Sequence, residues 1–337
     1  MLPFRIALIT VLLFACKKNK PDEPQPAFRG FVAPGHFPSP VYNFNNNPVT
    51  GPGLELGRKL FYDPFLSKDN TVSCASCHFQ SEAFSDPGMM VSMGVDGKVG
   101  ARNSPALFNL AWHSSFMWDG GINHIEIMPL APITDSLEMD ISIVDLLQKL
   151  NNHPQYPALF KKAFNVDIID DQKLFYALTQ FMGMLISANS KYDRYVKGVG
   201  SFTQAEKNGY DLFRLHCESC HKEPLFTSHQ FENNGLDNVF FDLGRMRITL
   251  LPQDEGKFKI PSLRNVALTY PYMHDGRFAS LDQVLDHYAS GIKQSATLSP
   301  KLQQGIPLTN QEKDELKQFL YTLTDHQFVT NPRFSQP

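Results

Sequence analysis

Two short stretches carry the chemistry of this chain: Cys74-Ala75-Ser76-Cys77-His78 and Cys217-Glu218-Ser219-Cys220-His221. Two cysteines three apart can add through their sulfurs to both vinyl groups of one porphyrin. A histidine directly after the second cysteine then lies under the iron as an axial ligand. Other uses of the cysteines fit less well. A zinc site needs four ligands, and each stretch supplies at most three. A dithiol redox site needs neither the adjoining histidine nor a second copy. The pattern recurs in a chain with only five cysteines and eleven histidines. The residues therefore predict two covalently bound c-type haems, the first on Cys74, Cys77 and His78, the second on Cys217, Cys220 and His221.

The elements that must position these motifs read as helices. Gly57-Arg58-Lys59-Leu60-Phe61 precedes the first motif and Gly209-Tyr210-Asp211-Leu212-Phe213 the second, behind a capping box at Thr203-x-x-Glu206. Arg102-Asn103 is followed by Met117-Trp118-Asp119-Gly120, and Arg264-Asn265 by Met273-His274-Asp275-Gly276. The same order twice predicts related halves. Asp171 to Ala188 reads as an apolar helix buried between them. Ser280-x-x-Gln283 opens a helix running to Gly291, with Leu281, Val284, Leu285 and Tyr288 on one face. Thr309-x-x-Glu312 opens the last helix, whose apolar face carries Leu316, Phe319, Leu320 and Leu323. Strand signals are sparse. The expected fold is mainly α, with two cytochrome c-like haem domains related by internal duplication and long ordered loops.

A length of 337 residues accommodates two such domains, placed at 46–195 and 196–337, with regular structure beginning near Leu54. The net charge of −3, from 31 basic and 34 acidic residues, gives no nucleic-acid footprint. Four of the five cysteines lie in the haem motifs, which leaves no disulfide. The fifth, Cys16, ends a short positive and then apolar leader in which Leu13-Phe14-Ala15-Cys16 resembles a bacterial lipobox. Residues 1–16 are expected to be a lipoprotein signal with Cys16 lipidated; a plain secretory signal or a short anchor is the alternative. Residues 17–45 are expected to be a flexible tether. Each of these readings exports the chain, and lipidation would make an acyl anchor its only hold on a membrane.

At this point the residues resemble the bacterial di-haem cytochrome c peroxidase family, including its methylamine-utilisation (MauG-type) branch. The similarity runs from about Leu54 to Thr324. It is carried by Leu56-Gly57-Arg58-Lys59-Leu60-Phe61-Tyr62-Asp63-Pro64, both haem motifs, Arg102-Asn103-Ser104-Pro105, Phe116-Met117-Trp118-Asp119-Gly120 and Leu137-Glu138-Met139. Pro261 to Thr269 and Pro271-Tyr272-Met273-His274-Asp275-Gly276 complete it.

The resemblance implies a division of labour. The haem on His78 would take hydrogen peroxide, and Glu138 would move its proton; by residue type alone Glu138 is also a plausible exposed acid at a helix start. Some relatives close that iron with a histidine where Val95 stands here, which implies an open face unless Met93 or another residue replaces it. Met128 stands where a distal glutamine is found. The haem on His221 would transfer electrons, with Tyr288 as its second axial ligand; Met273, or a purely structural Tyr288, is the alternative. Trp118 would relay electrons between the haems, or simply pack. Asn103, Thr269 and Pro271 match positions that bind calcium. A small cytochrome c or copper protein would be the donor, on the periplasmic side of a bacterial membrane, and homodimers occur in the family. Oxidation of a partner protein's side chain, in the MauG manner, and non-catalytic electron carriage are the rival functions.

Overall fold

The computed structural model describes residues 28–337, so Cys16 and the expected signal lie outside the described residues. Helices dominate: α1 (Gly51–Tyr62), α2 (Leu130–Thr134), α3 (Ile143–Asn151), α4 (Tyr156–Phe164), α5 (Asp171–Gly183), α6 (Lys191–Val196) and α7 (Gln204–His216), then α8 (Met246–Thr249), α9 (Leu281–Asp286), α10 (Asn310–Tyr321) and α11 (His326–Val329). Among the described residues, sheet is limited to one antiparallel pair, β1 (Phe231–Glu232) with β2 (Phe258–Lys259). The rest is ordered loop and single helical turns.

Local chemistry explains where the long helices start. The Thr50 hydroxyl accepts from the Gly53 amide at 3.0 Å to open α1, with Pro52 in its first turn. Asp170 caps α5 through the Lys173 amide at 2.7 Å. Reciprocal capping boxes at Thr203/Glu206, Ser280/Gln283 and Thr309/Glu312 open α7, α9 and α10. Each satisfies donors that the first turn cannot pair internally.

In both halves a glycine lets two helices touch backbone to backbone. α1 packs on α5 at Gly57, where an added Cβ would overlap the Ala177 carbonyl oxygen. α7 packs on α10 at Gly209, where it would overlap the Glu315 carbonyl oxygen. A second correspondence follows each Arg-Asn pair. Phe116 bridges Ile122 and Tyr272 bridges Phe278, with Met117 and Met273 both in the left-handed region at φ 65° and 77°.

Two aromatic-rich clusters hold these crossings. Leu60, Phe61, Leu66, Phe84, Phe160, Leu178 and Phe181 are buried in the first. Phe213, Phe226, Phe319 and Leu323, with Tyr192, are buried in the second. Each such side chain contributes roughly 2 kcal/mol of burial. The chain's end returns to the first cluster, where Phe328 and Phe334 are buried.

Two expectations need correction. The described part of the expected tether is not a free strand. Phe37 is buried against Trp112 and Leu225, and Phe31 stacks on Phe44 at 4.1 Å, so aromatic residues tie 31–44 to the body before Leu54 is reached. The expected helix 171–188 ends at Gly183 and packs on α1 inside the first cluster rather than between the halves. Its all-round apolar character reflects burial in that core.

Candidate haem centres and the junction between them

The first motif folds as a tight turn after Ser73, whose amide donates to the Ser76 hydroxyl at 3.0 Å. Cys74 and Cys77 are unbridged, and burial pushes their thiols up to about 12 and about 11. Desolvation pulls His78 down to about 4, so it is neutral. Its Nδ1 lies 2.8 Å from the Phe84 carbonyl oxygen, which can accept only if Nδ1 carries the proton. That fixes the tautomer and leaves the Nε2 lone pair for a metal.

The second motif repeats the arrangement at the end of α7. Cys217 and Cys220 are unbridged, and burial pushes Cys217 up to about 12. His221 is likewise pulled to about 4, and its Nδ1 faces the carbonyl oxygens of Phe226 at 3.2 Å and Pro261 at 3.1 Å. An unbridged cysteine pair beside a histidine oriented to offer Nε2 is what attachment of a c-type haem requires, and the residues fit it twice. Among the described residues no group of three or more His, Cys, Asp or Glu is arranged to hold a metal ion, so a zinc set is not built around either pair.

Glu138 stands by the first pair, near enough for its charge to raise both Cys74 and Cys77. It is open to solvent but recessed, and its carboxyl is pushed up to about 7, first by desolvation and then by Asp135. The loop that holds Val95 supports it. The Val95 amide donates to the Glu138 carbonyl oxygen at 2.8 Å, and Val95 is buried. Met93 is 57% exposed, while Met128 is buried.

Tyr288 lies on a π-helical turn, His287–Gly291, that continues α9. Its phenol is pushed up to about 12 by desolvation and then by Cys217 and Cys220, against a hydrogen bond to Asn234. The Asn234 amide also donates to Met273 Sδ at 3.3 Å. The structure thus brings both candidate ligands of the second centre to one asparagine. Sequence patterns gave no signal for Asn234, because it lies on an irregular loop.

Trp118 occupies the seam. Its Nε1 donates to the Asn103 carbonyl oxygen at 2.7 Å, and its own carbonyl accepts from the Lys259 amide at 2.7 Å. Arg102 locks the same seam, reaching Asp119 at 2.6 Å and Asp242 at 2.7 and 2.8 Å. The Asn103 amide nitrogen donates to the Met89 and Met90 carbonyls at 3.1 and 3.3 Å, and its backbone N–H to the His274 carbonyl at 2.8 Å. Thr269 is half-buried and Pro271 buried in the same region.

A sequence profile described as di-haem cytochrome c peroxidase matches residues 52–201. The methylamine utilization protein MauG of Methylophilus methylotrophus is 33% identical over 303 residues, covering 87% of each chain. The chain belongs to the di-haem cytochrome c peroxidase family. Another member, the cytochrome c551 peroxidase of Nitrosomonas europaea, is 32% identical over 297 residues, covering 86% of this chain and 84% of that one. A crystal structure of a MauG-like protein associated with microbial copper homeostasis superposes with a TM-score of 0.83 at 34% identity, covering 90% of this chain and 98% of that one. Family members include both peroxidases and MauG-type enzymes, and the di-haem family implies two c-type haems here.

Proposed function

We propose that this di-haem protein reduces hydrogen peroxide to water, consuming two protons and two electrons from a small cytochrome c or copper protein. The single observation that carries the reading is Glu138: a carboxyl poised near neutrality beside the first cysteine pair, as general acid–base work needs. When bound, the haem on His78 supplies the centre for O–O cleavage and the haem on His221 the reducing equivalents.

The chain's own residues do the rest. Phe84 and Pro261 hold the two histidines in the tautomer that presents Nε2. Glu138 takes the proton from the attacking end of peroxide and returns it to the departing oxygen. Val95, buried and unable to ligate iron, would offer the first haem no closing ligand from this position, so reductive activation would not be required. Trp118, hydrogen-bonded to Asn103 and Lys259, relays electrons across the seam. Tyr288, buried beside Cys217 and Cys220, would help to hold the second haem. Asn103, whose amide nitrogen is committed to carbonyls and whose Oδ1 is not, holds calcium together with the Thr269 and Pro271 carbonyls.

In this reading the halves arose by duplication, the first ending near 195 and the second spanning 196–337, and the chain is exported and lipid-anchored at Cys16. Among the described residues no helix is long and apolar enough to cross a membrane. Stopped-flow mixing of the holoprotein with peroxide and a reduced donor tests the activity. Donors should include a copper protein, given the relative linked to copper homeostasis. No turnover with any reduced donor overturns the proposal. The proximity of Tyr288 to the second pair favours one rival, MauG-type oxidation of a partner side chain. An oxidised state that persists for minutes after peroxide addition without a donor would support that rival.

A further inference from the structure

Lys259 presents an unbalanced, part-buried cation at the seam. Its Nζ donates to the Ser115 carbonyl at 2.8 Å and lies 3.3 Å from His113 Nδ1, and no carboxylate lies within ion-pairing distance among the described residues. Desolvation alone pulls it down to about 8. His229 packs on His113 with ring centroids 4.6 Å apart, and both of its ring nitrogens are buried without a hydrogen-bond partner. A neutral imidazole has one donor and one acceptor to satisfy, and burying both unmet is unfavourable. An ammonium and two imidazoles that converge with no acid are the lining of an anion site, with the anion supplied by something other than the chain.

We propose that Lys259, His229 and His113 seat a propionate carboxylate of the second haem. The backbone favours this haem over the first. Pro261, two residues beyond Lys259, accepts from His221, and the Ser228 amide, next to His229, donates to the Cys220 carbonyl at 2.9 Å. His113 comes from the same loop of the first half as Trp118, so the seat ties the second haem to the other half of the molecule. The inference rests on both haems being bound and makes no use of peroxide chemistry.

A cation held against a propionate favours the ferrous form, which carries one negative charge more than the ferric. The experiment is spectroelectrochemistry and resonance Raman on the holoprotein, after pyridine haemochrome shows two haems per chain. Lys259→Met lowers the midpoint potential of the second haem and leaves the first unchanged, Lys259→Arg restores most of the shift, and a remote control, Lys161→Met, moves neither. His229→Asn shifts the propionate-bending band, a readout that holds even where Lys259→Met fails to assemble. Unchanged potentials in Lys259→Met with full haem content, or an unmoved band in His229→Asn, overturn the proposal. A shift confined to the first haem overturns the assignment to the second.

Discussion

At the scale of single residues, the proposed asymmetry between the centres rests on Glu138 and Tyr288. Replacing Glu138 by Gln keeps the shape and removes the proton acceptor. Peroxide turnover should fall by about 10²–10⁴-fold with haem content unchanged, measured by stopped-flow. The wild-type rate should climb as pH rises through about 7, because the carboxylate is the working base, and Glu138→Gln should lose that limb. The stability sign runs the other way. The folded-state value lies above the ordinary 4.5, so the stabilisation is full below about pH 4.5 and is lost as pH rises through about 7. If Tyr288 ligates as proposed, Tyr288→Met exchanges a ligand that favours ferric iron for one that favours ferrous. The second haem's midpoint potential should rise, and its ferric electron paramagnetic resonance signal should change. Both cysteine–histidine motifs were legible in the sequence, since C-x-x-C-H is contiguous. Asn234, which meets Tyr288 and Met273, was not, because only folding brings 234, 273 and 288 together.

At the scale of elements, glycine-permitted crossings set the frame on which both motifs hang. Gly57→Ala or Gly209→Ala pushes a methyl into a backbone carbonyl that cannot rotate aside. Either should cost about 3 kcal/mol in denaturant unfolding of the holoprotein. Thr203→Ala should cost only about 1 kcal/mol, because it removes a cap and leaves the packing intact. These starts were readable from sequence, since a capping box is local chemistry. The end of α5 at Gly183 and the docking of residues 31–44 were not: each is decided by partners distant in sequence, Phe44 against Gly183 and Trp112 against Phe31 and Phe37.

At the scale of the whole molecule, the seam decides whether two haem sites act as one machine. Trp118 is bonded to Asn103 on one side and Lys259 on the other, and Arg102 spans Asp119 and Asp242. Trp118→Phe should slow electron transfer between the haems, seen by transient absorption after reduction of the second haem, while both haems stay attached.

By itself the sequence determined the covalent chemistry, the helical class and the paired order of motifs, because spacing along one chain fixes which groups a short segment can present. Only the tertiary structure decided how the halves meet: Val95 supporting Glu138, Asn234 joining Tyr288 to Met273, and an unpaired lysine facing two histidines at the seam. Those relations depend on burial and on side chains distant in sequence, as His113 is from His229 and Lys259, and no local pattern encodes them.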